Sequence, residues 1–218
     1  SQQTEFNKIK LLNGQIDRRS FSSAEDVAKP VFVSDTVQPG EYEIEITKLG
    51  TNAEVEGVDA SFFTDSDPIG AEGRISINGE EVEIKSTDKP AEVFEKLRDL
   101  CERVDIDILK DETTGKLTLT SKAAGADAKI EINGAGGVLD EIGLSVVNEE
   151  GEDGEAVLKG GAFSATATVQ TRGNRVEITD KNNQKIYLDI QEGATLNTDV
   201  TITVSEAGPL QLHVGPNE

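Results

Sequence analysis

One histidine and one cysteine, with no methionine and no tryptophan, leave this 218-residue chain short of the parts from which most active sites are built. Triads with a histidine base and imidazole metal sites have only His213 to draw on. Cys101 alone closes no disulfide, so no disulfide framework staples the fold. Aromatic residues make up 4% of the chain, too few to wall a ligand pocket. No apolar run approaches the roughly 20 residues that span a bilayer, and no basic-then-apolar leader opens the sequence. Basic residues are outnumbered as well, 21 against 42 acids. The formal charge of −21 repels phosphate backbones and anionic lipid, which excludes nucleic-acid and membrane-surface roles.

What the chain does have is glycine, 21 in all, and alternation. Its length suffices for one large or two modest domains with a buried core. After the turn signal Pro39-Gly40, Tyr42, Ile44 and Ile46 alternate with Glu41, Glu43 and Glu45, the period-2 pattern of a strand with its acids on the wet face. Residues 50–72, with Gly57, Asp65, Asp67-Pro68 and Gly70, read as a loop. Residues 74–85 read as a hairpin, because Asn78-Gly79 supplies the positive φ angles of a type I′ turn. Ile75, Ile77, Val82 and Ile84 then share one face.

Asp88 as a cap and Pro90 in the first turn predict a helix over about 88–104. Val93, Leu97, Leu100, Cys101 and Val104 form its single apolar stripe. A second hairpin comes next: Val104, Ile106 and Ile108, then Thr113-Thr114-Gly115, then Leu117 and Leu119. A short strand runs from Ala128 to Ile132. This order predicts a small sheet with one helix laid across it.

The remainder is strand-like. The polar stretch Ser20 to Ser23 leads to a short strand at Val31-Phe32-Val33. Beyond the acid-rich boundary Glu149–Glu155, strand patterns recur at Ala165–Val169, Arg175–Thr179, Lys185–Ile190 and Val200–Val204. The fold class is therefore α+β, mostly β: antiparallel hairpins with one amphipathic helix packed on a small sheet, plus a β-rich second region. The predicted division is an inner stub of residues 1–35 with 206–218, an outer α+β domain of 36–148, and a β-rich outer region of 149–205.

Candidate chemistry thins out on inspection. Cys101 lies on an apolar stripe, where a packed thiol is expected rather than a nucleophile with a base beside it. The run Glu149–Glu155 lacks the D-x-[DN]-x-[DN]-G spacing of a calcium loop. Asp65 and Asp67 read as turn residues. Gly134–Gly137 lacks the strand–G-x-G-x-x-G–helix setting of a phosphate site and reads as a loop. Arg172 and Arg175 read as partners for local acids. A glycosidase needs two carboxylates set across a sugar cleft, and the aromatic platforms for that are missing. No catalytic, cofactor-binding or metal residues are expected, no cofactor, and no enzymatic activity.

Short segments carry a resemblance. Thr4-Glu5-Phe6-Asn7-Lys8-Ile9-Lys10-Leu11-Leu12-Asn13-Gly14 and Leu210-Gln211-Leu212-His213-Val214-Gly215-Pro216-Asn217-Glu218 resemble the stretches that flank the polymerising helices of bacterial flagellin, with Lys8 and Pro216 departing from the pattern. That resemblance implies a structural filament subunit without its terminal helices. Such a subunit would be exported through the flagellar type III apparatus, secreted, and placed extracellularly in the bacterial flagellum to support motility. It implies other flagellin subunits as partners through the absent helices, with an export chaperone and a host innate immune receptor for the full-length protein. The fragment itself would be a monomer and a weak receptor activator. It further suggests that Phe6, Leu11 and Leu12 pack against Leu210 and Leu212 where the chain leaves and re-enters an inner domain.

In the middle, residues 39–47, Ile77-Asn78-Gly79, and Leu117–Ser121 with Gly125 resemble a unit shared by flagellin outer domains and flagellar hook-associated proteins. This leaves a hook-associated junction or cap protein as one alternative. An extracellular glycan- or host-surface-binding module is another.

Overall fold

A computed structural model of the chain describes residues 18–206. Along the chain come strands β1 (Arg18–Ser22), β2 (Ala28–Val33), β3 (Gly40–Lys48) and β4 (Asn52–Glu56), then a 3₁₀ turn at Ser61–Thr64. The hairpin β5 (Gly73–Ile77) and β6 (Glu80–Ile84) precedes helix α1 (Pro90–Arg103). Next are β7 (Ile106–Lys110), β8 (Leu117–Ala124), β9 (Lys129–Gly134), the short helix α2 (Gly136–Glu141) and β10 (Val147–Glu150). The chain finishes with β11 (Glu155–Gly161), β12 (Thr168–Arg172), β13 (Arg175–Asp180), a 3₁₀ turn at Lys181–Asn183, β14 (Gln184–Ile190) and β15 (Asp199–Glu206). The class is α+β and mostly β, with antiparallel sheets and one helix longer than two turns.

Two compact units emerge, and they divide the chain differently from the sequence-based scheme. Among the described residues, 18–49 and 154–206 form one, and 50–153 form the other. The second unit is therefore an insertion between β3 and β11. Those two strands pair antiparallel, with Lys48 opposite Glu155, so both crossings leave from neighbouring strand ends. An inserted domain needs such closely spaced exits if the host sheet is to stay intact. The acidic run seen in the sequence spans the second crossing. The first crossing carries no such marker, and β2 and β3 belong with β11 to β15 rather than with β4 to β10.

Among the described residues the host unit has only strands and turns. One sheet has the order β1-β15-β3-β11 and the other β12-β13-β14-β2. Tyr42, Ile44 and Ile46 of β3, Val200, Ile202 and Val204 of β15, Val176 and Ile178 of β13, and Ile186, Leu188 and Ile190 of β14 are buried in one cluster. Period-2 patterning puts these residues inside and Glu41 and Glu43 outside. Two local expectations change here. The stretch expected as a polar lead at Ser20–Ser23 lies in β1 as far as Ser22, paired with β15 from Arg18↔Glu206 to Ser22↔Ile202. The strand expected at Ala165–Val169 begins only at Thr168, because Ser164 holds a turn through its hydroxyl and the amide of Thr166.

The inserted unit has two sheets rather than the single one predicted, β10-β9-β5-β6 and β4-β8-β7, around one buried cluster. The Asn78-Gly79 turn is as expected, with φ of 51° and 84°. Asn78 adds a second role: its side chain donates to Lys129 O and accepts from Glu131 N, both at 2.8 Å, tying the turn to β9. In α1, Val93, Leu97, Leu100 and Cys101 are fully buried. Each large side chain so buried contributes about 1.5–3 kcal/mol.

Asp88 does not cap this helix. Lys89 holds the cap position, and the Asp88 carboxylate accepts from the Lys85 amide instead. Residues 50–72 are not all loop, since β4 buries Ala53 and Val55 and the 3₁₀ turn buries Phe62 and Phe63. Gly136 and Gly137 open a helix, not a loop, because burial of Val138 and Leu139 outweighs the poor helix propensity of glycine.

Candidate interaction surfaces

Cys101 is fully buried, and burial pushes its thiol up to about 12, so it carries no thiolate near neutral pH. Among the described residues no group of three or more His, Cys, Asp or Glu side chains could hold a metal ion. Asp65 accepts from the Ser66 amide, a turn contact. Arg172 and Arg175 pair with Glu177 and Asp189. His213 lies outside the described residues.

A recess in the host unit is lined by Tyr42, Phe163, Asp180 and Gln184 among others, and its free volume of about 10 Å³ is room for a single water. Its polar groups already serve the fold. Tyr42 donates from its hydroxyl to Gln38 O at 2.5 Å, and its ring meets Phe163 edge-on at 4.9 Å. Burial raises the Tyr42 phenol, and the nearby Asp180 charge adds to this.

Burial would raise the Asp180 carboxyl too. Hydrogen bonds from the Ser164 hydroxyl, the Ser164 amide and the Lys181 amide outweigh it and hold the group below the usual carboxylate value. Asp180 thus fastens the turn at 164–167 to the end of β13. Its job is architectural.

The remaining candidates are sheet faces. On the outer face of the host unit, strand register lines up Phe21, Thr203 and Glu41 in one row, and Val157, Glu45 and Asp199 in another. Phe21 and Val157 are 50% and 45% exposed at opposite margins. The inserted unit repeats this design: Glu54, Thr120 and Asp107 make one row, and Glu56, Thr118 and Leu109 the next. Leu109 is 71% exposed, and Val58 and Val146 elsewhere on this unit are nearly as open. Faces of threonine and acid with isolated apolar side chains offer surfaces for protein contact.

The outward position of Leu109 was legible from the alternation of Ile106 and Ile108. Phe21 was missed because its serine neighbours masked a strand. Val58 and Val146 sit outside any periodic segment. The proposed packing residues Phe6, Leu11, Leu12, Leu210 and Leu212 all lie outside the described residues. What the structure does show is that the described chain enters and leaves on neighbouring strands, with Arg18 opposite Glu206. Arg18 also donates to Val37 O at 2.7 Å.

No protein-family model matches the chain, and no curated protein matches it. Solved structures do. The D2-D3 domains of the flagellar cap protein FliD from Escherichia coli align with a TM-score of 0.54 and 12% identity, over 88% of this chain and 99% of that one. The D1-D2-D3 domains of the same protein give 0.56 and 13%, over 87% of this chain and 55% of that longer one. FliD (HAP2) from Pseudomonas aeruginosa PAO1 gives 0.54 and 15%, over 83% and 85%.

At such identities the likeness is one of fold. It nevertheless corrects the reading as a filament flagellin, since the structural neighbours are cap proteins. The flagellin resemblance rested on short terminal segments outside the described residues, whereas the arrangement of fifteen strands in two units lies in the middle. The expectations of flagellin partners and an immune receptor lose their premise with it.

Proposed function

We propose that this chain is the two-unit outer portion of a flagellar cap protein, a non-enzymatic structural component of the bacterial flagellum working outside the cell at the filament's distal end. The observation that carries the reading is coverage: both units together align with 99% of the FliD D2-D3 chain. The paired strands β1 and β15 fit this reading, because a further domain could be joined to the host unit through two adjacent strands. So do the sheet faces, which suit contacts with other copies of the chain and with neighbouring flagellar components. The acidic surface keeps such a body soluble in an exposed position. An export chaperone fits the same route to the outside of the cell.

Immunogold electron microscopy of flagella from the source bacterium tests the proposal, using antibody raised against residues 18–206. Label confined to filament tips is expected. Label distributed along the filament would return the chain to the filament wall and overturn the cap reading.

A further inference from the structure

Strand β6 ends the sheet β10-β9-β5-β6, and an edge strand presents the N–H and C=O groups of alternate residues outward. In β6 and the residue after it these groups belong to Glu81, Glu83 and Lys85, and one group of each residue has a side-chain partner. Arg103 Nη2 donates to Glu81 O at 3.4 Å, and Lys96 Nζ donates to Glu83 O at 2.9 Å. The Lys85 amide donates to Asp88 Oδ2 at 2.9 Å. The three side chains are themselves secured: Lys96 Nζ reaches Asp88 Oδ2 at 2.7 Å and Arg103 Nη1 reaches Glu80 Oε2 at 3.2 Å. Lys96 and Arg103 are seven residues apart, two turns along the helix, so both lie on the flank facing the strand. Helix α1 and its entry turn therefore stand in for a missing neighbour strand.

The masked edge is complementary to itself. Pair β6 antiparallel with a second β6 about Glu83, and Glu81 falls opposite Lys85 twice. The residues brought opposite are those whose backbone groups point outward, so the two strands could exchange the full set of ladder bonds. The pairing is two-fold symmetric, the commonest symmetry among homo-oligomers. We propose that Asp88, Lys96 and Arg103 form an edge guard that denies β6 to the β6 strand of a second copy of this chain. The proposal stands on these contacts alone and does not depend on the cap reading.

The test compares the unmodified chain with a triple variant, Asp88→Ala/Lys96→Met/Arg103→Met, which removes the Asp88 acceptor, both cationic donors and all three charges. Sedimentation over a concentration series is expected to show added association in the variant, its mass rising toward twice 23.3 kDa relative to the unmodified chain. Adding Lys85→Glu, which sets Glu81 against a like charge twice, should abolish that gain. The proposal is overturned if the variant keeps its helix by circular dichroism and shows no gain, or if Lys85→Glu leaves the gain intact. Amide exchange on the unmodified chain reads the guard even where the triple variant fails to fold. The Lys85 amide should exchange as slowly as the β5–β6 ladder amides; exchange at the rate of an open edge would also overturn the proposal.

Discussion

The host unit and the inserted unit both set two antiparallel sheets around a single apolar cluster, but they close the sides of that arrangement differently. In the host unit, strands meet strands at both margins, β1 against β2 and β11 against β12. In the inserted unit, β4 meets β10 on one side, while on the other α1 lies against both β6 and β7. At its margin α1 supplies an apolar stripe for the core and polar side chains for the β6 edge. The electrostatics differ in the same direction: residues 50–153 hold 26 acids against 10 bases, the rest of the chain 16 against 11. One unit is a near-balanced strand body. The other is a strongly anionic one that depends on its helix.

If the helix is the inserted unit's weak point, Leu97→Ala should break the comparison most sharply. Leu97 is fully buried, and truncating such a leucine costs about 2–5 kcal/mol. The expected result is loss of amide protection across β4 to β10 at a lower temperature than in β11 to β15, seen by hydrogen exchange on heating. A single transition shared by both units would show that they unfold together, and the division into two would lose its energetic meaning.

Each unit also pins one carboxylate against its own burial: Asp180 in the host, Asp88 in the insertion. In both, desolvation favours the neutral acid, and hydrogen bonds prevail to hold the group below the ordinary 3.8. A depressed folded-state pKa stabilises the fold fully above the ordinary value, and that contribution is lost as pH falls through the depressed one. Asp180→Ala should cost about 1–3 kcal/mol, because it strips partners from the Ser164 and Lys181 amides. Asp180→Asn should flatten the host unit's loss of stability below pH 3.8 in acid titrations, leaving the inserted unit's unchanged. Equal flattening in both units would sink the assignment.

How much of this was readable from residues alone depended on whether tertiary packing or local pattern decided each element. The β5–β6 hairpin, α1 and the β7–β8 hairpin followed from turn chemistry and unbroken periodicity. Strand β4 did not, because its ladder with β8 shifts register between Asn52 and Glu54 and leaves only Ala53 and Val55 as inward signals. The Ser121 hydroxyl accepts from the Ala53 amide at 2.9 Å, taking a role that strand patterning does not encode. Helix α2 starts on two glycines and exists because Val138 and Leu139 are buried. The guard on β6 was hidden for a similar reason. Asp88, Lys96 and Arg103 look like a helix start and two ordinary surface cations until the strand edge beside them is known.

Charge should separate the units more gently. Like charges repel within the inserted unit, and raising salt from about 10 mM to 1 M shortens the screening length from roughly 30 Å to 3 Å. Relief of about 1 kcal/mol would raise that unit's melting temperature by roughly 4–8 °C, with a smaller change in the host. Differential scanning calorimetry at the two salt concentrations measures it. A larger gain in the host unit would contradict the charge argument.

The smallest effect belongs to the outer faces, where the two units are most alike. Leu109 is the apolar member of the row shared with Thr118 and Glu56, and it buries little in the isolated chain. Leu109→Thr replaces it with the residue type already central to that face, and one favoured in strands. Stability should stay within about 0.5 kcal/mol, as for other surface substitutions, by urea unfolding. In the flagellated cell the same change should reduce swimming if this face is a contact in the assembly proposed above, while the purified chain melts as before. A variant that loses stability in isolation would show that Leu109 packs within its own unit, and the likeness between the two outer faces would then be one of register and not of use.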